Sequence, residues 1–365
     1  MVGFPQRCSM ASSTKPTSRS GEADHGVTVA NQWYDEWIQQ NIPDLTGKVA
    51  IVTGGNSGTG FWAASALAGQ NCTVVLACRN PAKAKAAQEE ILGYHPQAKV
   101  DADIAMDNMD LSTVKSFAEA FNKKYDRLDY LINNAGIMAQ PLIQSKDGFD
   151  IQFQTNHLAH FMLTQLLWDK MIKTEGQSRV VNHSSGAHAL GGPVFDSTKM
   201  DHPTYSWGVL GINPVLWYVL LPAMGLKPVE NWLRYGVSKL CNVLFTKELQ
   251  AQIEAKGLSE KVIAVACHPG HANTNLQNVA KDSMSNWEKL NADGAQSAAD
   301  GSLPLLMSTV GPKVQGGDYC EPSVGAMHTK GPPMVGAVGG NGNDAKMAKS
   351  LWDYSEECIK SKFEV

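Results

Sequence analysis

The feature that most constrains the fold of this chain is the glycine-rich segment at residues 53–60, which reads TGGNSGTG. It follows a β-branched apolar run, KVAIVT, and precedes an alanine-rich stretch with helical character. A strand, a glycine turn and a helix in this order form the first unit of a nucleotide-binding sheet. Gly54 permits the tight turn, Gly58 lets the backbone approach a pyrophosphate, and Gly60 lets the helix pack closely. The segment therefore predicts a dinucleotide site at a helix N-terminus.

Strand and helix patterns alternate along most of the remaining chain. Strands are predicted near residues 73–78, 99–107, 129–133, 179–183 and 262–267, and helices near 58–69, 81–92, 113–124, 153–173 and 235–253. This alternation is typical of a parallel sheet that is covered by helices on both faces. We therefore predict an α/β fold, a doubly wound Rossmann-type parallel sheet, in a single domain over residues 41–365. Residues 1–40 are predicted to be a disordered or variable extension. Within it, Trp33, Tyr34 and Trp37 favour a short amphipathic helix that lies on the domain, with a membrane surface as the less favoured alternative.

Composition excludes several functional classes. The chain carries 31 Lys and Arg against 35 Asp and Glu, without a basic run, so no nucleic-acid partner is expected. Its seven cysteines are scattered, which indicates a reducing compartment, either the cytoplasm or an organelle. His157 and His160 lack a carboxylate or thiolate neighbour in the sequence, so no metal site is predicted. Residues 1–26 lack the apolar core of a signal peptide, and their Arg, Lys and Ser content is only a faint transit-peptide signal.

Four more motifs follow the glycine loop in a fixed order. They are NNAG at 133–136, Asn156 in TNHLAHF, Ser185 in VVNHSSGAH, and Tyr235 with Lys239 in YGVSK. One such motif is common by chance, but all five in order are specific. Over residues 42–357 the chain resembles the short-chain dehydrogenase/reductase family, and most closely its branch of retinol dehydrogenases and WW-domain oxidoreductases. The resemblance implies hydride transfer between a nicotinamide cofactor and a carbonyl or alcohol.

The resemblance assigns catalytic roles to four residues. Carbonyl reduction needs an acid that protonates the new alkoxide, and Tyr235 takes that role, acting as the base in oxidation. Lys239 lies four positions later on the same helix face, where its charge favours phenolate and would lower the pKa of Tyr235; in the family it also binds the nicotinamide ribose. Ser185 would donate to the substrate oxygen, with Ser184 as a structural neighbour. Asn156 would hold a water molecule of the proton relay.

The cofactor is predicted to be NADP(H). Cys78 stands where an NAD enzyme would carry Asp, and Arg79 follows it directly. A guanidinium adds charge-assisted hydrogen bonds to a 2′-phosphate. The register of the third strand favours Asp107 beside the adenine, with Asp110 as a helix cap. By resemblance, the cofactor would contact Gly54, Asn56, Ser57, Gly58, Thr59, Gly60, Arg79, Asp107, Asn108, Asn134, Ala135, Gly136, Tyr235, Lys239, Pro269, Gly270 and Thr274.

Two departures from the family pattern affect the local cofactor geometry. Thr59 replaces the usual Ile in the glycine loop, and the segment 271–273, His-Ala-Asn, replaces a hydrophobic residue before Thr274. Neither change removes a group that the chemistry needs.

More residues lie between Ser185 and Tyr235 than in many family members, because the chain has an apolar insert over residues 190–234. Its uncharged run at 203–226 reads PTYSWGVLGINPVLWYVLLPAMGL. A single membrane crossing is excluded because both ends of the insert must return to one active site, and Pro214 and Pro222 break a continuous helix. Three interpretations stay open: a lid over a large apolar substrate, which we favour, a peripheral membrane contact, or a homodimer interface.

These observations predict an oxidoreductase for a small apolar carbonyl or alcohol, such as a retinoid-like or fatty aldehyde, a steroid or a terpenoid. One alternative is a pigment reductase that resembles protochlorophyllide reductase. The other is a dinucleotide-binding scaffold without turnover, which would be free to lose any one of Asn156, Ser185, Tyr235 and Lys239. The chain retains all four.

Overall fold

A computed structural model of the protein describes residues 29–190, 229–277, 294–325 and 328–365. Within these ranges one eight-stranded sheet has the order β3-β2-β1-β4-β5-β6-β7-β8. Strands β1 to β7 are parallel to their neighbours, and β8 is antiparallel to β7. The doubly wound Rossmann-type sheet predicted from the sequence is therefore confirmed. The strands are β1 (Val49–Thr53), β2 (Thr73–Ala77), β3 (Lys99–Asp101), β4 (Tyr130–Asn133), β5 (Ser178–His183), β6 (Val262–Cys267), β7 (Tyr319–Val324) and β8 (Lys330–Val335).

Helices cover both faces of the sheet. They are α1 (Tyr34–Asn41), α2 (Gly58–Gly69), α3 (Pro81–Tyr94), α4 (Leu111–Lys124), α5 (Ala159–Lys173), α6 (Val229–Ala255), α7 (Ala298–Gly301), α8 (Leu303–Val310) and α9 (Ala345–Ile359). A short helical turn, Ile151–Phe153, and a π-helical turn, Gln154–Leu158, lead into α5. Successive side chains of a strand point to opposite faces. Val49 and Ile51 of β1 accordingly enter one hydrophobic core with α4, α5, α6 and α9, and Ala50 and Val52 enter a second core with α1, α2, α3 and α8.

The sequence placed the start of the domain at residue 41. In the structure, helix α1 before that position already packs against the domain. Helix α1 buries Tyr34 and Ile38 against the second core. The carboxylate of Asp300 accepts hydrogen bonds from the backbone N–H groups of Gln32, Trp33 and Tyr34, at 2.8, 2.9 and 2.9 Å. The first N–H groups of a helix have no acceptor within the helix, so they need one from elsewhere in the chain. The predicted helix of the aromatic segment is therefore present, and its first turn is fixed by a residue far away in the sequence.

The end of the predicted insert also needs correction. Helix α6 begins at Val229, so residues 229–234 belong to the helix that carries Tyr235 and not to the insert. The apolar run at 203–226 lies outside the described residues, and its role as lid, membrane contact or dimer interface stays a prediction. Across the described part of the chain, we find no helix with the length and apolar character that a membrane crossing requires.

Candidate active site

The glycine loop between β1 and α2 has the geometry that a phosphate group requires. Gly54 and Gly58 adopt positive φ angles of 66° and 56°, which favour glycine. A Cβ atom on Gly60 would lie 2.3 Å from Nδ2 of Asn134, so only glycine fits there without displacing that amide. Ser57 is the N-cap of α2, and within the described chain its side chain makes no capping hydrogen bond. The first turn of α2 also carries no acidic residue. This helix end therefore suits an anion.

Asn134 connects the glycine loop to the ends of two neighbouring strands. Its Nδ2 donates to the carbonyl of Thr53 at 2.8 Å. Its Oδ1 accepts from the hydroxyl of Thr59 at 3.2 Å and lies 2.8 Å from Nδ1 of His183. The replacement of the usual Ile by Thr59 thus adds a hydrogen bond between the first turn of α2 and the strand end.

A cleft of about 500 Å³ extends from this loop along the carboxyl ends of the strands to Tyr235. Most of the residues predicted from the sequence line it, and only Gly60 and Asn156 do not. Gly60 packs beneath Asn134, and Asn156 is buried behind Gly136. The sequence did not predict Lys83, His183 and Met138, which also line the cleft. Lys83 lies in the first turn of α3 and Arg79 lies just before the N-cap residue of that helix, so the cleft has two cations near the α3 N-terminus.

The two candidate aspartates, Asp107 and Asp110, have different roles at the end of the cleft near β2. Asp107 lines the cleft, and its Oδ1 accepts from the backbone N–H of Met109 at 3.0 Å. Asp110 is the N-cap of α4 and forms an ion pair with Lys146. Asp110 is therefore the helix cap that the sequence predicted, and Asp107 faces the cavity. Arg79 is exposed at the rim, with Nη1 3.4 Å from the sulfur of Met109.

Helix α6 brings the predicted acid to the other end of the cleft. Tyr235 and Lys239 are both only 4 % exposed, and the side chain of Ser185 forms a hydrogen bond with Tyr235. The ammonium of Lys239 lies 5.9 Å from the centre of the Tyr235 ring and donates to the carbonyl of His183 at 2.9 Å. Ser184 donates to the carbonyl of Lys239 at 2.7 Å, in keeping with a structural role. The two serines after β5 therefore lie next to Tyr235 and Lys239 of α6.

Burial dominates the acid–base properties of this pair. It raises the pKa of Tyr235 to about 12, and the hydrogen bond from Ser185 opposes that increase. Burial lowers the pKa of Lys239 to about 8. The sequence predicted that Lys239 would lower the pKa of Tyr235, but in this structure the pKa is raised, because desolvation penalises the phenolate. Tyr235 is a neutral phenol, and therefore a proton donor, at neutral pH.

Asn156 lies in the π-helical turn, where its side chain holds the loop after β4. Its Oδ1 accepts from the N–H of Ile137 at 2.8 Å, and its Nδ2 donates to the carbonyl of Ile137 at 3.0 Å. The same Nδ2 donates to Ser238 on α6 at 2.8 Å. The backbone carbonyl of Asn156 accepts from Nδ2 of Asn242 at 2.8 Å. These contacts fix α6 against the loop, and the role of Asn156 in a proton relay stays a prediction.

The segment after β6 completes the cleft. Gly270 has φ of 64°, and a Cβ atom there would lie 2.2 Å from the carbonyl oxygen of Thr329. Pro269 and Thr274 line the cavity. The Thr274 methyl would lie 3.2 Å from a Cβ atom on Gly58, so this segment packs directly against the glycine loop.

A small apolar cluster contains the Tyr235 ring. Met138, Ala139 and Tyr235 form its buried part, with Trp232 and Leu276 partly buried beside them. Met138, Tyr235 and Leu276 also line the cleft and form an apolar wall there.

The fold and the cleft together define a Rossmann-type dinucleotide-binding protein with a Tyr–Lys–Ser site. Comparison with known proteins identifies the family. The model of the short chain dehydrogenase family matches residues 48–197. The short-chain dehydrogenase/reductase drtF of Aspergillus calidoustus is 32% identical over 332 residues, which cover 88% of this chain and 96% of that protein. The chain belongs to the short-chain dehydrogenase/reductase family.

Other relatives agree with the branch that the sequence indicated. Human retinol dehydrogenase 13 is 36% identical over 232 residues, which cover 64% of this chain and 61% of that protein. The human WW domain-containing oxidoreductase is 37% identical over 262 residues, and the match spans only 55% of its length and 71% of this chain. Among solved structures, an uncharacterised protein of Mycobacterium paratuberculosis has a TM-score of 0.67 and 29% identity, covering 93% of this chain and 100% of that one. A short chain dehydrogenase of Shigella flexneri, solved with NADP, shares the fold with a TM-score of 0.53 and 21% identity, covering 76% and 97%.

Proposed function

We propose that this protein is an NADP(H)-dependent oxidoreductase that transfers hydride between the nicotinamide and the carbonyl or alcohol carbon of a small apolar molecule. The observation that carries the proposal is the single cleft that joins an anion-binding helix end to the paired side chains of Ser185 and Tyr235. A cofactor whose phosphates lie at α2 could extend its nicotinamide to the phenol along this cleft.

The choice of NADP(H) over NAD(H) follows from the charges at the end of β2. Cys78 supplies no carboxylate for the adenine ribose, and Arg79 and Lys83 border the same part of the cleft. Two cations, together with the lack of a carboxylate at position 78, favour a 2′-phosphate. The Shigella neighbour that was solved with NADP has the same fold.

When bound, the nicotinamide supplies or accepts the hydride, and the side chains of the chain handle the proton and the orientation. In reduction, Ser185 donates a hydrogen bond to the substrate oxygen, and the neutral phenol of Tyr235 protonates it. In oxidation, Tyr235 must first lose its proton, which a pKa of about 12 makes costly near neutral pH. Lys239 would favour the phenolate by its charge and would hold the nicotinamide ribose. A relay water at Asn156 would have to bind without its side-chain amide, because Ile137 and Ser238 already engage that amide.

The substrate that best fits the cleft is apolar. Met138 and Leu276 provide an apolar wall beside Tyr235, and this suits a retinoid-like or fatty aldehyde, a steroid or a terpenoid. Relatives named retinol dehydrogenase match much of the chain. Five buried cysteines of the described chain are free thiols, which supports a reducing compartment, cytoplasmic or within an organelle. A homodimer and a peripheral membrane contact through residues 203–226 belong to the same proposal.

The proposal is tested by NADPH consumption with the purified full chain. A panel of retinal, long-chain aldehydes, a keto-steroid and a short polar aldehyde is offered with NADPH and with NADH. We expect turnover of apolar aldehydes with NADPH and much less with NADH. Tight NADPH binding without turnover of any carbonyl would instead support the scaffold alternative. A failure to bind either nicotinamide would contradict the proposal.

A further inference from the structure

Arg234, directly before Tyr235 on α6, is a buried charge that the proposed chemistry does not use. Its side chain is 1 % exposed. Removing a guanidinium from water is costly unless good hydrogen bonds replace its hydration. The partners of Arg234 therefore show what the buried charge stabilises.

Three segments of the chain meet at this guanidinium. Its Nη1 donates to Oδ2 of Asp150 at 2.6 Å. Its Nη2 donates to the carbonyl of Gln140 and to Oδ1 of Asn231, each at 2.8 Å. Asn231 lies in the first turn of α6, Gln140 in the loop after β4, and Asp150 before the π-helical turn.

Asp150 links the guanidinium to the turn that carries Asn156. Its Oδ1 accepts from the backbone N–H groups of Gln152 and Phe153, both at 2.9 Å, so it caps the helical turn that leads into the π-helical residues. A single carboxylate thus caps the start of one helical segment and binds a side chain near the start of another. The position of Asn156 relative to Tyr235 depends on this connection.

Gln140 links the guanidinium to the apolar wall. The preceding residue, Ala139, has φ of 48°, a left-handed conformation that costs a residue with a Cβ about 1 kcal/mol. Ala139 is also buried against the Tyr235 ring. The hydrogen bond from Arg234 to the next carbonyl holds this strained conformation in place.

We propose that Arg234 is a positioning residue, which locks the Tyr235 helix, the strained substrate wall at Met138–Gln140 and the Asn156 turn into one rigid unit. The inference rests on the proposed function for its catalytic consequence. A planar guanidinium can serve three acceptors in fixed directions, and an ammonium at the same position cannot reproduce that geometry. Arg234 touches neither cofactor nor substrate in this proposal, and it acts through Tyr235 and the loop.

The test compares Arg234→Lys with the matched variant Arg127→Lys. Arg127 also forms a forked ion pair, in which its Nε and Nη2 donate to Asp129 at 2.8 and 2.7 Å. It lies before β4, at the amino ends of the strands, whereas the cleft lies at their carboxyl ends. We expect Arg234→Lys to lower kcat for aldehyde reduction at least ~10-fold, equivalent to about 1.4 kcal/mol in the activation free energy. The NADPH dissociation constant should stay within about twofold, since Arg234 is outside the phosphate end of the cleft. Arg127→Lys should change neither quantity.

A second measurement does not depend on turnover. Amide hydrogen exchange in residues 137–144 should accelerate in Arg234→Lys and stay at the wild-type rate in Arg127→Lys. If Arg234→Lys does not fold, Asp150→Asn, which keeps an oxygen acceptor, should show the same changes in smaller measure. Unchanged kcat, unchanged exchange in this loop, or an equal loss of NADPH binding would each overturn the proposal. A wild-type protein that turns over no carbonyl would contradict the proposed function, and the exchange comparison would still decide whether Arg234 holds the loop.

Discussion

Replacing Gly60 by Ala should damage the cofactor site through one contact that the structure locates. The new methyl would lie 2.3 Å from Nδ2 of Asn134 and 2.8 Å from the carbonyl oxygen of Gly54. Neither atom can move away freely. The Gly54 oxygen belongs to the backbone, and the Asn134 amide is held by hydrogen bonds to Thr53 and His183. The amide must therefore move and give up at least one of these hydrogen bonds.

The magnitude follows from two costs. Overpacking a well-filled site costs about 1–3 kcal/mol, and a lost buried hydrogen bond costs about 1 kcal/mol more. We expect Gly60→Ala to lower the free energy of unfolding by about 2–4 kcal/mol. Because the same shift disturbs the first turn of α2, NADPH binding should weaken at least ~10-fold.

Gly93→Ala is the matched control. Gly93 lies near the end of α3, and a Cβ atom there would meet nothing within 4 Å. Alanine favours a helix interior over glycine by up to about 1 kcal/mol, so this variant should be as stable as the wild type or slightly more stable. Urea unfolding followed by circular dichroism, and NADPH titration followed by fluorescence, provide both quantities. If Gly60→Ala unfolds and binds NADPH like the wild type, the packing argument for this glycine is refuted.

Four further predictions concern the proposed chemistry. Tyr235→Phe should bind NADPH normally but turn over aldehyde at least ~10²-fold more slowly, since the ring stays and the proton donor is lost; near-normal turnover would place the acid elsewhere. Arg79→Ala should weaken NADPH by about 1.5 kcal/mol, the scale of a charged hydrogen bond, and leave NADH unchanged; equal weakening of both in parallel titrations would exclude a 2′-phosphate contact. Alcohol oxidation should rise with pH up to the highest stable pH, because the pKa of Tyr235 is about 12 and the phenolate is the base. Above about pH 8, NADPH binding should weaken as Lys239 loses its charge, and a pH-independent binding constant would contradict this role.

Much of the fold and the site could be predicted because the informative residues are close in sequence. The glycine loop, its strand and its helix lie within 21 residues, from Val49 to Gly69, and glycine has few other reasons to recur at that spacing. Asp110 was recognisable as a cap because it directly precedes α4. Tyr235 and Lys239 share a helix face by spacing alone.

The contacts that escaped prediction join residues far apart along the chain. Arg234 and Asp150 are separated by 84 positions, and no local pattern pairs them. The pKa of Tyr235 depends on burial by several segments at once, so the sequence indicated the influence of Lys239 and missed the larger effect of desolvation. Lys83 was missed because its position in the cleft depends on where α3 begins relative to the end of β2.

The capping of α1 by Asp300 bears on how this protein can be dissected. The family match begins at residue 48, which would invite a shortened version that starts there. Such a fragment would leave the fully buried carboxylate of Asp300 without the three N–H groups that replace its hydration. The fragment would also lose α1, which buries Tyr34 and Ile38 in the second core. We therefore expect a version that starts at residue 48 to be less stable than one that includes residues 32–41.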